Sequence, residues 1–303
     1  MDSRFNTSKK DNLKNEFLGG VAFSQLVVIY VAISFAGSLI LDLVGASAVV
    51  KLAVSSLFSV ISMFIVIDVF NIRRHEKLEL TVYAKKFDAF YILPAIFLAF
   101  GMLFGLGFVN ESIARLIVKL GGNASSISLP LDNLWHFILF TVLIAVIPAI
   151  EEECFFRGLL LGNLTKGKKS SGIIIVALCF ALYHGSAVQF VYQFIYGGLL
   201  ALLTIKAKSV IPAIIAHFIN NAFIIVTRYF AVYVNSYSVW IILIGAFLLS
   251  LFFLSLYHYK KGGKDEFEVE PEHREEKAKE FFFPYGILGV MITLVIIISG
   301  LFL

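Results

Sequence analysis

The chain has 303 residues, 59% of them apolar and 15% charged, with a mean hydropathy of +0.89. A soluble domain carries about 25% charged residues, so this composition excludes a soluble globular protein and places the chain in lipid. The net charge of +4 does not call for nucleic acid, because the Lys and Arg collect in alternate loops, the pattern by which the positive-inside bias sets membrane topology.

The opening MDSRFNTSKKDNLKNE mixes acids and bases over residues 1–16, and the apolar run after it is long enough to span a bilayer, so no cleaved signal peptide is expected. A spanning helix needs about 20 mostly apolar residues. Stretches that meet or approach this rule lie at 17–44, 47–70, 88–109, 135–157, 172–189, 190–205, 210–228, 239–257 and 285–303. The expected fold is therefore all-α, a polytopic membrane bundle of eight or nine transmembrane helices.

Lys9, Lys10 and Lys14 precede the first stretch, and Arg73, Arg74, Lys77, Lys85 and Lys86 follow the second. Lys166, Lys168 and Lys169, then Lys206 and Lys208, then Lys260, Lys261 and Lys264 fall in later loops of the same side. The other side holds Arg115, Lys119 and Arg228. Nine spans with a cytoplasmic N-terminus satisfy the bias at every loop, and the short loops and modest length are those expected of a bacterial plasma-membrane protein. The polar stretch 122–134 reads as an outer loop, with Trp135 suited to the interface. The expected units are a cytoplasmic segment (1–16), N-terminal spans (17–134), a central core (135–228) and C-terminal spans (229–303) with a charged cytoplasmic loop at 258–284. Cys154 and Cys179 lie in apolar stretches without a CxxC and read as small buried hydrophobes, not a disulfide or metal pair.

Charged side chains at bilayer depth cost at least about 2.5 kcal/mol each, and IPAIEEECFFRGLLL places Glu151, Glu152, Glu153 and Arg157 in one apolar helix just after Pro148. Glu153 and Arg157 stand four apart with the acid first, the favourable orientation for a helical ion pair, and read as a neutralising couple. Glu152 lies about 100° around the helix from Glu153. That leaves it available, and a desolvated carboxylate suits a general base. Pro148 removes the backbone hydrogen bond to Ile144 and is expected to bend the helix one turn before the acids. Further along, FALYHGS puts Phe180 and His184 on one helix face, and AHFINN does the same for His217 and Asn221. Of six histidines, His75, His136, His258 and His273 fall in loops or at an interface, so only His184 and His217 lie within spans. Two acids, two imidazoles and an amide on three helices can activate a water and stabilise an oxyanion.

Glu152-Glu153-Cys-Phe-Phe-Arg157 fits EExxxR, Phe180 to His184 fits FxxxH and His217 to Asn221 fits HxxxN. With these three motifs in order on successive apolar stretches, the chain resembles the CPBP family, which holds type II CAAX prenyl endopeptidases and Abi-type relatives linked to bacteriocin processing and immunity. The resemblance covers about residues 135–228, which become a CPBP/Abi-like catalytic core. It implies an intramembrane glutamate-type protease in which Glu152 activates the attacking water with help from His184. His217 and Asn221 would hold the oxyanion, Glu153 and Arg157 would support them, and Phe180 would pack beneath His184. It implies no metal cofactor, and a peptide or membrane-protein substrate met within membrane lipid. Zinc is the lesser alternative: two histidines and a carboxylate are ligand types, but HExxH is absent and the ligands would come from three helices. Simple hydropathy also sets His184 at a different depth from Glu152 and His217, so a tilted or bent fourth span is required.

Two other readings compete. A proton-coupled transporter also uses intramembrane Glu and His, but it is expected to show internal repeats, and none is visible. A non-catalytic scaffold, acting as an immunity protein or a signalling partner, would retain the helices without the chemistry.

Overall fold

A computed structural model describes residues 2–74, 88–124, 128–164, 169–258, 281–282 and 286–302. Most of the charged loop expected at 258–284, and of the Lys-rich loops at 75–87 and 165–168, lies outside the described residues. Among the described residues nine apolar helices run in chain order: α1 (Asp2–Leu43), α2 (Ala48–Arg74), α3 (Ile92–Lys119), α4 (a continuous helical rod from Leu134 to Leu164), α5 (Lys169–Tyr183), α6 (Phe190–Ala207), α7 (Ile211–Tyr229), α8 (Val239–His258) and α9 (Ile287–Phe302). No strand occurs among the described residues. Seven of the helices are long and apolar enough to cross a membrane, while α5 and α9 are shorter. The chain is an integral membrane protein with an all-α polytopic fold.

Exposed side chains support that reading. Phe35, Leu43, Phe64, Trp240, Phe247 and Val295 are each more than half exposed, an apolar surface that water would not tolerate but acyl chains match. The interior divides into two packed clusters. One joins α1, α2, α4 and α5 through Phe23, Met63, Phe156 and Phe180. The other joins α3, α6, α7 and α8 through Met102, Tyr196, Ala216 and Phe252.

Several helices depart from their expected bounds; α1 already begins at Asp2, inside the segment expected at 1–16, and three others depart for a local reason. α3 runs on to Lys119, so Arg115 and Lys119 are helical and not in a loop. Arg115 lies 3.7 Å from Glu111 one turn back and stacks 4.4 Å over the Tyr237 ring. The helix stops where Gly121 takes φ +83° and where the Gly122 N–H donates to Ile117 O at 2.9 Å, a glycine C-terminal stop. α5 ends at Tyr183 because Gly185 adopts φ +59°, which leaves His184 at the helix end instead of inside a longer span. α4 begins where the Asn133 side chain accepts from His136 N at 2.9 Å. It then contains two π-helical stretches, Val142–Val146 and Cys154–Leu160, flanking the Ile147–Glu153 turn that bears the acids. Around Pro148, where a bend is expected, the rod widens on both sides of the acids.

Without a hydrophobic drive between helices in lipid, close backbone approach does much of the packing. α3 and α8 meet at Gly105 and Gly245, where a Cβ on Gly245 would collide with the Gly105 backbone. Gly245→Ala should therefore lower the thermal midpoint of the detergent-purified protein, by an overpacking cost of about 1–3 kcal/mol. At Gly300 an added Cβ meets nothing within 4 Å, so Gly300→Ala should leave the midpoint unchanged or raise it. Equal midpoints for the two variants would contradict the α3–α8 contact.

Candidate active site

The site lies between the two packed clusters, where α4, α5, α6 and α7 face one another. Glu153 and Arg157 have no exposed side-chain surface, and Arg157 Nη1 donates to Glu153 Oε1 at 2.8 Å. The same carboxylate oxygen lies 2.9 Å from His217 Nδ1 on α7. A carboxylate only accepts, so the Nδ1 of His217 carries a hydrogen and donates it. Arg157 Nη2 donates to the Gly197 carbonyl of α6 at 3.1 Å, and its guanidinium covers the Phe180 ring at 4.2 Å. Burying two charges is tolerable only when each finds such partners.

Glycine at 197 suits this close packing, since a Cβ there would stand 3.0 Å from Phe180 Cδ1 and press on the ring. The tandem Gly197-Gly198 inside an otherwise regular helix is a sequence signal for this contact that the motif reading passed over. Phe180 in turn lies against His184, with ring centroids 4.7 Å apart.

His184 Nδ1 lies 2.8 Å from Phe180 O, one turn back on α5. A carbonyl can only accept, so Nδ1 carries the hydrogen and Nε2 presents a lone pair in the neutral ring. That Nε2 faces Glu152 Oε2 at 4.0 Å. Glu152 is 8% exposed, and its Oε2 has no hydrogen-bond partner among the described residues. Helix α5 is short and α4 is widened around its acids, and the two side chains that hydropathy set apart meet. Beside His184 lies a cavity of about 150 Å³, whose walls include Val27, Tyr30, Tyr183, Gly185 and Thr293.

Asn221, one turn beyond His217 on α7, donates from Nδ2 to the Ile144 carbonyl at 3.1 Å. Pro148 has no N–H to offer that carbonyl in the α-helical register, so the amide fills the vacancy the proline creates. The third acid, Glu151, accepts from Ser59 Oγ of α2 at 2.7 Å. Neither that bond nor the His217–Glu153 bond had a signal in the sequence, because both partners come from distant helices. Cys154 and Cys179 are free thiols. Among the described residues no three His, Cys, Asp or Glu side chains are grouped to hold a metal ion.

Glu153→Gln should lower folded yield and thermal midpoint together, since breaking a buried pair costs about 3–5 kcal/mol. Size-exclusion profiles and melting in detergent test this, and an unchanged, well-expressed variant would contradict the load placed on Glu153.

Residues 134–223 match the family model described as Type II CAAX prenyl endopeptidase Rce1-like. Comparison with curated proteins and with solved structures gives no match. The matched stretch spans all of α4, α5 and α6, and α7 as far as Phe223. The chain thus carries, at residues 134–223, an Rce1-like domain of the CPBP family, and the buried acids of α4, His184 at the end of α5, and His217 and Asn221 of α7 all lie inside it.

Proposed function

We propose that the chain is an intramembrane endopeptidase that hydrolyses a peptide bond of a membrane-associated or peptide substrate, using a water activated by Glu152. The observation that carries this reading is the pair of acceptors, Glu152 Oε2 and His184 Nε2, facing each other at 4.0 Å. Two acceptors repel unless a donor lies between them, and two hydrogen bonds of about 2.8 Å meeting at one water span roughly 4.4 Å. A water held there donates to both, which leaves its lone pairs for a carbonyl carbon.

The step then balances. Glu152 takes a proton from the water as the water oxygen bonds to the scissile carbon, and the carbonyl electron pair moves to oxygen. Collapse of that intermediate breaks the C–N bond, and the proton held by Glu152 passes to the leaving amine. Asn221 has a second N–H beyond the one given to Ile144, and this is our first donor for the oxyanion. His217 spends Nδ1–H on Glu153, so it can donate from Nε2 only when both ring nitrogens carry hydrogen. Glu153 and Arg157 hold these groups without touching the reacting atoms, and Phe180 supports His184 from below. The Lys distribution along the chain supports a cytoplasmic N-terminus.

Glu152→Gln keeps the size of the side chain and removes its basicity. In cells making this variant and the wild type at matched levels, mass spectrometry of membranes and medium should find new peptide termini with the wild type alone. The variant should purify with an unchanged melting point. Identical terminus profiles would remove the protease reading and favour a non-catalytic scaffold.

A further inference from the structure

Asn220 and Tyr192 belong to none of the three sequence motifs, yet both are buried at the centre of the α6–α7 contact. Tyr192 Oη of α6 donates to Asn220 Oδ1 at 2.6 Å, Asn220 Nδ2 donates to Asn221 Oδ1 at 3.1 Å, and Asn221 Nδ2 donates to Ile144 O at 3.1 Å. These bonds form one directed chain, and its direction is fixed at the α4 end. A backbone carbonyl only accepts, so the Asn221 atom facing Ile144 must be nitrogen and the atom facing Asn220 must be oxygen. Asn220 must then present its own nitrogen to Asn221 and its oxygen to the tyrosine hydroxyl. Reversing any one amide sets oxygen against oxygen in a buried site, where an unmet acceptor is costly. Ile144 is available to anchor the chain because Pro148 leaves it without its α-helical donor.

We infer that Tyr192 and Asn220, with the proline-freed carbonyl of Ile144, are positioning residues that hold the Asn221 amide in one of its two orientations, so that its second N–H is presented as a fixed donor to a substrate oxygen. This rests on the proposed role of Asn221 and extends it to two residues outside the motifs. A donor that is already oriented loses nothing to reorganisation when charge develops on the oxygen it faces. An amide free to flip would present oxygen in half of its states.

Two measurements test the inference, and only one depends on proteolysis. The first uses full-length protein in nanodiscs with ¹⁵N-labelled asparagine, the Asn221 side-chain signal being assigned by its loss in Asn221→Ala. The wild type should show one Asn221 amide environment with two unlike protons, one hydrogen-bonded to Ile144 and one not. Asn220→Asp, which turns the donor facing Asn221 Oδ1 into an acceptor, should move or split that signal, and Tyr192→Phe should move it less. An Asn221 signal unchanged in both variants overturns the inference whatever the chain's activity.

The second measurement takes a substrate found by its Glu152-dependent terminus. Tyr192→Phe should lower kcat by about tenfold, less than the 10²–10³ typical for outright loss of an oxyanion donor, with KM unchanged. In the Asn221→Ala background the same substitution should cost almost nothing further. An equal loss in both backgrounds would show that Tyr192 acts through general stability and would overturn the inference while leaving the protease reading intact. Absence of any Glu152-dependent terminus would remove the protease reading, and the amide signal would then decide alone whether the three residues hold Asn221.

Discussion

One carboxylate oxygen, Glu153 Oε1, accepts from Arg157 at 2.8 Å and from His217 at 2.9 Å in a place with no exposure to solvent. An ion in such a setting must be paired or the fold does not form, so the helices that supply the partners have little freedom. His217 brings α7 to α4. Arg157 continues the connection to the α6 backbone through Gly197 and to α5 through the Phe180 face. Four helices are thereby registered around the neighbouring Glu152, the proposed base, which takes no part in that pairing.

Proline supplies a second constraint. Pro148 lies four residues before Glu152, and the rod that carries both is π-helical on either side of the turn they share. A π-helical stretch shifts side chains around the axis relative to an α-helix, and here it turns three successive acids into a buried interior. The carbonyl that proline leaves without its usual donor becomes the acceptor for Asn221. The local defect and the proposed oxyanion donor are thus two ends of one hydrogen bond, and helix α4 positions its own acids and an amide of α7 at once.

Much of this was legible in the sequence wherever the relevant contact stays within one helix. Glu153–Arg157 and the His184 bond to Phe180 are both four residues apart, and that spacing can be read directly as a shared face. The all-α membrane fold followed from composition and from the length of the apolar runs. Contacts between helices were not legible: His217 to Glu153 and Asn221 to Ile144 join residues 64 and 77 apart, and no spacing rule reaches that far. The resemblance gave His217 a share in holding the oxyanion with Glu153 in support, and the form of that support, a bond from Nδ1 to Glu153, came only with the structure. Helix ends were misjudged where charge was taken as a stop. α3 passes through Arg115, which an acid one turn back and a tyrosine ring accommodate, and it ends only at a glycine with positive φ. Nor could α5 be seen to end before His184, although Gly185 was in view.

Rescue of a missing base tests the account most directly. Glu152→Ala, reconstituted in vesicles with a peptide substrate, should be inactive, and added formate should restore part of the cleavage by occupying the place of the carboxylate. Formate should give no recovery in Glu153→Ala, where the loss is of a paired structural ion. Cleavage by Glu152→Ala at the wild-type rate without formate would contradict the central claim that this carboxylate activates the water.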